Sequence, residues 1–331
     1  MNSFLPQGSA LEPERPERPV RALFTKAGLA GIVYITVTLS VNYIAVLLTT
    51  LLWGPEAAYS PTALISFSVI PYAFTIPAVY LIMRSGPKES REQKKKFRWF
   101  YLPGAFTVCI LFGQLGAYAG NLLSQLLQDT LNIPISDPLQ TQVTGSGLWA
   151  NFILLALAAP ILEEIVFRKL ILGHLTAYGT GIAIFCSAFI FALIHCNLYQ
   201  FIYAFFIGLV LGAVYCRTGR VIYTILLHAL FNLYSGVLPA YLGTGIEKFD
   251  PALVFVNAWQ AAYLVYMLSF ILLAAAGLVT LIFYINKQKS ALAEAFANFG
   301  HHFAPACCNA GMMILFILCL FINLCNIFLM I

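Results

Sequence analysis

An all-α, polytopic transmembrane helical bundle is the fold class that this sequence predicts. Of its 331 residues, 61% are hydrophobic and 9% are charged, whereas soluble domains carry about 25% charged residues. The apolar residues form runs that approach or exceed the roughly 20 residues that a helix needs to cross a bilayer. A soluble fold of this length could not bury so much apolar surface, so the expected surroundings are a lipid bilayer.

The apolar runs predict eight core helices and a ninth helix at the C-terminus. In order, the runs cover about 27–52, 62–83, 99–125, 148–171, 180–197, 199–216, 221–238, 256–285 and 311–331. The polar segment before them lacks the pattern of a cleaved signal peptide. Two pairs of glycines, Gly116 with Gly120 and Gly208 with Gly212, have the GxxxG spacing that is typical of closely packed membrane helices.

The lysines and arginines predict that the N-terminus is cytoplasmic. In that orientation, all 18 of them except Lys248 fall on the cytoplasmic side, in agreement with the positive-inside rule. The longest basic segment is the loop at 84–98. The net charge of +5 therefore reflects topology and contact with anionic lipid headgroups, and we expect no nucleic-acid partner.

Two adjacent carboxylates, Glu163 and Glu164, interrupt the apolar run APILEEIVFRKLIL at 159–172. A charged carboxylate in hydrocarbon costs about 2.5–3.5 kcal/mol on insertion scales, so such groups face a protein interior or a wet cavity. Arg168 follows Glu164 by four residues and shares its helix face. Glu163 points about 100° away from Glu164 and needs a different partner.

The polar groups that could meet Glu163 inside the membrane are His195, His228 and Asn232, the last one helical turn after His228. Burying such groups costs least when they meet around water. A partly dehydrated glutamate suits a general base acting on water. One neutral histidine can orient that water, and a second histidine with an asparagine presents N–H donors to an oxyanion. Ser187 and Cys196 are not comparably placed to act as nucleophiles.

Each of these residues also has a purely structural interpretation. A buried histidine can be a hydrogen-bonded core residue, an intramembrane asparagine can join helices, and Arg168 with Lys169 can neutralise the glutamate pair. Zinc is a further alternative because Glu163, His195 and His228 are possible ligands, although the HExxH helix of many metalloproteases is absent. We predict no cofactor and keep zinc as the alternative.

The linear topology separates the predicted site residues. Glu163 and His228 fall near the cytoplasmic surface, whereas His195 falls near the outer end of the run 180–197. For the three side chains to meet, the fifth helix must be tilted, must begin inside the protein or must have other boundaries.

Three motifs in this block resemble those of the CAAX-protease and bacteriocin-processing family of intramembrane endopeptidases, which includes the eukaryotic Ras-converting endopeptidase. Glu163-Glu164-xxx-Arg168 resembles its EExxxR motif, Phe191-xxx-His195 its FxxxH motif and His228-xxx-Asn232 its HxxxN motif. The resemblance covers about residues 148–238. It implies that Glu163 is the general base, that His195 helps to position the water, and that His228 and Asn232 stabilise the oxyanion. Glu164 and Arg168 are then supporting residues.

The resemblance implies an intramembrane endopeptidase whose partners are the lipid bilayer and a membrane-anchored or prenylated peptide or protein substrate. The chain then divides into a cytoplasmic tail (1–26), transmembrane helices with the basic loop (27–147), a catalytic core (148–238) and C-terminal transmembrane helices (239–331). The expected location is a bacterial cell membrane, or the endoplasmic reticulum if the protein is eukaryotic. Alternatives are a non-catalytic membrane scaffold or regulator and a proton-coupled transporter, which the lack of an internal repeat disfavours.

Overall fold

The computed structural model describes residues 17–86, 99, 101–132, 147–246 and 258–328, and these residues form helices and no β-strand. The predicted fold class, a polytopic helical bundle, is confirmed. The first 16 residues of the predicted cytoplasmic tail, most of the basic loop at 84–98 and Lys248 lie outside the described residues. The predicted orientation and the four predicted regions stay predictions.

The helices of the described residues are numbered α1 to α10 in chain order. Their bounds are α1 Glu17–Trp53, α2 Pro61–Met83, α3 Tyr101–Leu131, α4 Leu148–Tyr178, α5 Thr180–Leu193, α6 Leu198–Thr218, α7 Val221–Asn232 with its continuation Leu233–Val237 and Leu238–Ile246, α8 Ala258–Lys287, α9 Lys289–Cys307 and α10 Ala310–Phe328. A 3₁₀ turn, Pro55–Tyr59, connects α1 to α2.

Seven helices in the described part of the chain are long and apolar enough to cross a membrane: α1, α2, α3, α4, α6, α7 and α8. An eighth span results if Phe299–Cys307 and Ala310–Asn326, which are bent by 65° at the break between them, are taken together. The chain is therefore an integral multi-pass membrane protein.

The fifth predicted span is the element that differs from the expectation. The run 180–197 forms only the 14-residue helix α5, which ends at Leu193. Fourteen residues reach about 21 Å, less than the roughly 30 Å hydrocarbon core. The chain reverses at Cys196, whose φ of 46° lies in the left-handed region, and Asn197 caps α6 by accepting a hydrogen bond from the Tyr199 amide at 3.0 Å. His195 therefore follows the end of a short helix.

Glycines allow the helices around this hairpin to approach closely. A Cβ added at Gly116 of α3 would lie 2.4 Å from the Tyr203 Cα of α6. Likewise, a Cβ at Gly208 of α6 would lie 3.0 Å from the Ala188 Cα of α5. Both predicted GxxxG pairs thus lie at helix contacts, and α6 is held between α3 and α5.

Two apolar clusters flank the polar residues of the predicted site. The larger cluster joins α1, α2, α4 and α5 through side chains such as Phe24, Met83 and Phe167. The smaller cluster joins α3, α6 and α7 through Ile110 and Leu211 among others. The buried side chains of both clusters hold the helices that carry the polar residues in fixed positions.

Candidate active site

Helix α4 has an irregular hydrogen-bond ladder around the glutamate pair. Its segments Phe152–Ala158 and Ile165–Leu172 are π-helical, and the α-helical segment Ala159–Glu164 separates them. Pro160 has no N–H and so cannot donate to the carbonyl of a preceding turn. The Leu155 carbonyl instead accepts a hydrogen bond from the Asn232 side chain of α7 at 2.9 Å. The proline thus frees the backbone group that anchors the predicted oxyanion residue.

Glu164 is the centre of a buried ionic network. Its side chain has no exposed surface, and its two oxygens accept hydrogen bonds from Arg168 Nε at 3.0 Å and from His228 Nδ1 at 3.1 Å. The Arg168 guanidinium also donates to Ser187 Oγ at 3.3 Å, while the Ser187 hydroxyl donates to the Phe167 carbonyl. Ser187 is therefore a structural partner of Arg168, in keeping with the expectation that it is not a nucleophile.

Glu164 also fixes which nitrogen of His228 faces the predicted base. A carboxylate accepts hydrogen bonds, so Nδ1 of His228 carries the proton. The other ring nitrogen, Nε2, lies 3.9 Å from Glu163 Oε2. That distance exceeds a hydrogen bond, so both atoms remain able to contact a third group.

Phe191 supports three of the polar side chains with one ring. The Arg168 guanidinium lies 5.0 Å from its centroid, a cation–π distance. The rings of His195 and His228 pack edge-on against it at centroid distances of 4.9 and 5.8 Å. The phenylalanine of the FxxxH motif therefore sets the positions of both histidines.

The orientation of His195 follows from one short hydrogen bond. Its Nδ1 lies 2.6 Å from the Phe191 carbonyl, and a carbonyl only accepts, so Nδ1 is the donor. Nε2 of the neutral ring then keeps its lone pair. This is the nitrogen that can accept a hydrogen bond from water.

Glu163 is the glutamate that faces open space. Its side chain is 13% exposed, whereas that of Glu164 is fully buried. Tyr72 of α2 is close enough to Glu163 to affect its carboxylate, and its hydroxyl is hydrogen-bonded to that of Tyr34 of α1 at 2.7 Å. These two tyrosines lie outside the motifs and were not predicted, since aromatic residues in an apolar run give no signal of such a role.

One cavity of about 500 Å³ brings the predicted catalytic residues together. Glu163, His195, His228 and Asn232 all line it. Residues of α3, α6 and α8 that were not predicted as site residues complete its walls, among them Gln114, Gln200 and Tyr266. The separation expected from the linear topology disappears because α5 is short, and the catalytic roles themselves stay predictions.

The donor set for a metal is sparse. Among the described residues, no group of three or more His, Cys, Asp or Glu side chains is arranged to hold a metal ion. Glu163 and His228 are close, and because Nδ1 of both histidines is engaged by a protein acceptor, Nε2 is the nitrogen through which either ring could bind a metal. The choice between metal-free and zinc-dependent hydrolysis therefore belongs to the proposal below.

Comparison with known proteins adds independent information. Residues 145–234 match a family described as "Type II CAAX prenyl endopeptidase Rce1-like". Over 183 residues, covering 52% of this chain and 70% of the relative, the chain is 27% identical to a Bacillus subtilis protein named "Putative membrane peptidase YdiL". No solved structure matches the chain significantly.

The bundle and its polar cavity, together with these similarities, define an integral membrane peptide hydrolase. Residues 145–234, which carry the polar cavity's motifs, are similar to the CAAX prenyl endopeptidases, in agreement with the resemblance that the three motifs indicated.

Proposed function

We propose that this protein hydrolyses a peptide bond inside the membrane by means of a water molecule activated by Glu163. The observation that carries the proposal is the shared cavity, in which one partly exposed carboxylate faces two imidazoles and a carboxamide. A group with this composition can supply a base, an orienting acceptor and oxyanion donors without a protein nucleophile.

In the proposed mechanism, Glu163 accepts a proton from the attacking water while the oxygen of that water bonds to the substrate carbonyl carbon. His195 Nε2 accepts the second hydrogen of the water and so orients it. The tetrahedral intermediate collapses when the C–N bond breaks, and Glu163 returns its proton to the leaving amine. The carboxylate thus acts first as base and then as acid.

His228 and Asn232 are the proposed donors to the oxyanion. Asn232 uses one amide hydrogen on the Leu155 carbonyl, which leaves its second hydrogen for the substrate. The other donor is Nε2 of His228 in the doubly protonated ring, which takes its second proton from solvent before the reaction and keeps it throughout, and Glu164 stabilises that charged ring through Nδ1. Glu164 and Arg168 act through His228 and are positioning residues.

The proposed substrate is a prenylated or otherwise membrane-anchored peptide, because the matching family is described as a CAAX prenyl endopeptidase. Similarity to a Bacillus subtilis protein favours a bacterial cell membrane as the location. Hydrolysis without a metal cofactor is part of the proposal. Activity that a chelator abolishes and that zinc restores would replace it with a zinc-dependent mechanism.

Comparative peptidomics tests the proposed function in membranes that carry either the wild-type protein or Glu163→Gln. We expect a set of shortened membrane-anchored peptides that appears only with the wild type. Identical peptide sets at equal protein levels would contradict proteolysis. A cellular phenotype that survives Glu163→Gln would instead favour the scaffold or regulator.

A further inference from the structure

The lining of the cavity includes polar residues that the proposed chemistry does not use. Gln114 of α3 and Tyr266 of α8 both line the cavity. Tyr266 is 7% exposed as a residue. Neither the Gln114 carboxamide nor the Tyr266 hydroxyl has a hydrogen-bond partner among the described residues. Tyr266 is buried and Gln114 is partly buried, and polar groups at such positions usually have a partner.

The neighbours of Tyr266 show that its free hydroxyl is unusual. Its ring is fixed by Tyr234, Tyr263 and Phe270 at centroid distances of 5.3, 5.9 and 5.9 Å. In the same aromatic cluster, the Tyr234 hydroxyl is hydrogen-bonded to Ser269 Oγ at 2.5 Å. The cluster therefore provides a hydrogen-bond partner for the Tyr234 hydroxyl, whereas the hydroxyl of Tyr266, a residue that lines the cavity, has no partner among the described residues.

Gln114 is held at the cavity by the close contact of α3 with its neighbours. A Cβ at Gly113 would lie 2.6 Å from the Phe231 ring of α7, and one at Gly116 would lie 2.4 Å from the Tyr203 backbone of α6. An intramembrane glutamine usually joins helices by hydrogen bonding. Gln114 makes no such bond within the part of the chain that the structure describes, so helix association does not account for it.

We propose that Gln114 and Tyr266 bind the backbone of the substrate peptide in an extended conformation. A peptide bond reaches a water nucleophile only where its helix is unwound, and unwound backbone in a membrane has N–H and C=O groups that must find partners. A carboxamide offers both a donor and an acceptor, and a phenol donates to a carbonyl. Backbone hydrogen bonds of this type hold extended peptides regardless of side-chain sequence.

This inference rests on the proposed function, and its residues lie on helices outside the matched segment 145–234. Gln114 and Tyr266 contact the substrate in the ground state and the transition state alike. Their loss should therefore raise KM and leave kcat nearly unchanged. A residue with a merely structural role would lower the amount of folded protein and not produce this split.

The test uses the full chain in lipid nanodiscs and a fluorescent farnesylated heptapeptide as the probe. Binding is measured with Glu163→Gln, so that no probe is consumed, for the all-amide peptide and for analogues in which each backbone amide in turn becomes an ester. We expect one or two ester positions to weaken binding about 3- to 10-fold. In the double variants Glu163→Gln with Gln114→Met and Glu163→Gln with Tyr266→Phe, the same ester substitutions should weaken binding by less than about twofold. The side chain that would bind the substituted peptide group is already absent from these variants.

Matched controls on the same helices are Gln125→Met of α3 and Tyr284→Phe of α8, both at exposed positions. The controls should respond to the ester substitutions as the wild-type residues do.

Equal ester effects in all variants, or no saturable binding of the all-amide peptide, would overturn the proposal. Suppose that the wild type binds the probe with the expected ester pattern but does not cut it. The proposed function then fails, and the inference that Gln114 and Tyr266 bind the peptide backbone stands. If the wild type cuts the probe but the ester pattern is absent, the inference about Gln114 and Tyr266 fails and the proposed function stands.

Discussion

Replacing Glu164 with glutamine should destabilise the protein far more than the same replacement at Glu163. Glu164 is completely buried and accepts hydrogen bonds from Arg168 and His228. Glutamine keeps the shape but removes the negative charge. The Arg168 guanidinium, which has no exposed surface, is then left as an uncompensated buried cation.

The magnitude follows from the cost of breaking a buried ion pair, about 3–5 kcal/mol. With about 2 °C of melting temperature per kcal/mol for a chain of this size, Glu164→Gln should lower Tm by about 6–10 °C. Glu163 is partly exposed, and Nε2 of His228 is 3.9 Å from its carboxylate, beyond hydrogen-bond distance. Glu163→Gln should therefore change Tm by less than about 2 °C.

Thermal unfolding of the purified variants in one detergent measures both effects. A second variant separates charge from packing, since Glu164→Gln with Arg168→Met removes the stranded cation and should recover most of the lost stability. It should not recover activity, because a neutral glutamine cannot stabilise the positive charge of a protonated His228 ring. Equal melting temperatures for Glu163→Gln and Glu164→Gln would refute the assignment of Glu164 as the buried centre of the network.

Three further predictions concern residues around the cavity. Gly116→Ala should lower Tm by several degrees because its Cβ would lie 2.4 Å from Tyr203 Cα. Gly243→Ala should leave Tm unchanged because a Cβ there would have no neighbouring atom within 4 Å. Equal Tm values for the two variants would contradict the close contact of α3 with α6. Pro160→Ala supplies an N–H that competes with Asn232 for carbonyls of the preceding turn, so kcat on a quenched farnesylated peptide should fall about 3- to 10-fold. An unchanged kcat would contradict this role of the proline. Tyr72→Phe removes the hydroxyl that interacts with Glu163 and should lower kcat with KM unchanged, while the exposed Tyr80→Phe on the same helix should leave both constants as in the wild type.

The parts of the structure that the sequence predicted are those set by strong local patterns. Apolar length predicted the spans because backbone groups in lipid must be satisfied within a helix. The rarity of charged groups inside those spans drew attention to Glu163, His195 and His228. Helical spacing correctly paired Glu164 with Arg168.

Other features depended on contacts between distant segments. The end of α5 at Leu193 was missed because the following residues continue a nearly apolar run, and only the capping role of Asn197 marks the turn. The partners of Glu163 on α2 and of Asn232 on α4 involve a phenol and a backbone carbonyl. Such groups have no distinctive sequence pattern.

The most direct test of the account is the rate at which purified Glu163→Gln cuts a quenched farnesylated peptide, compared with the wild type at equal Tm. If Glu163 activates the water, kcat should fall by at least about 100-fold, the usual contribution of a general base. Binding of the peptide should stay within about twofold, because a glutamine fills the same space. A rate within about threefold of the wild type would show that another group activates the water.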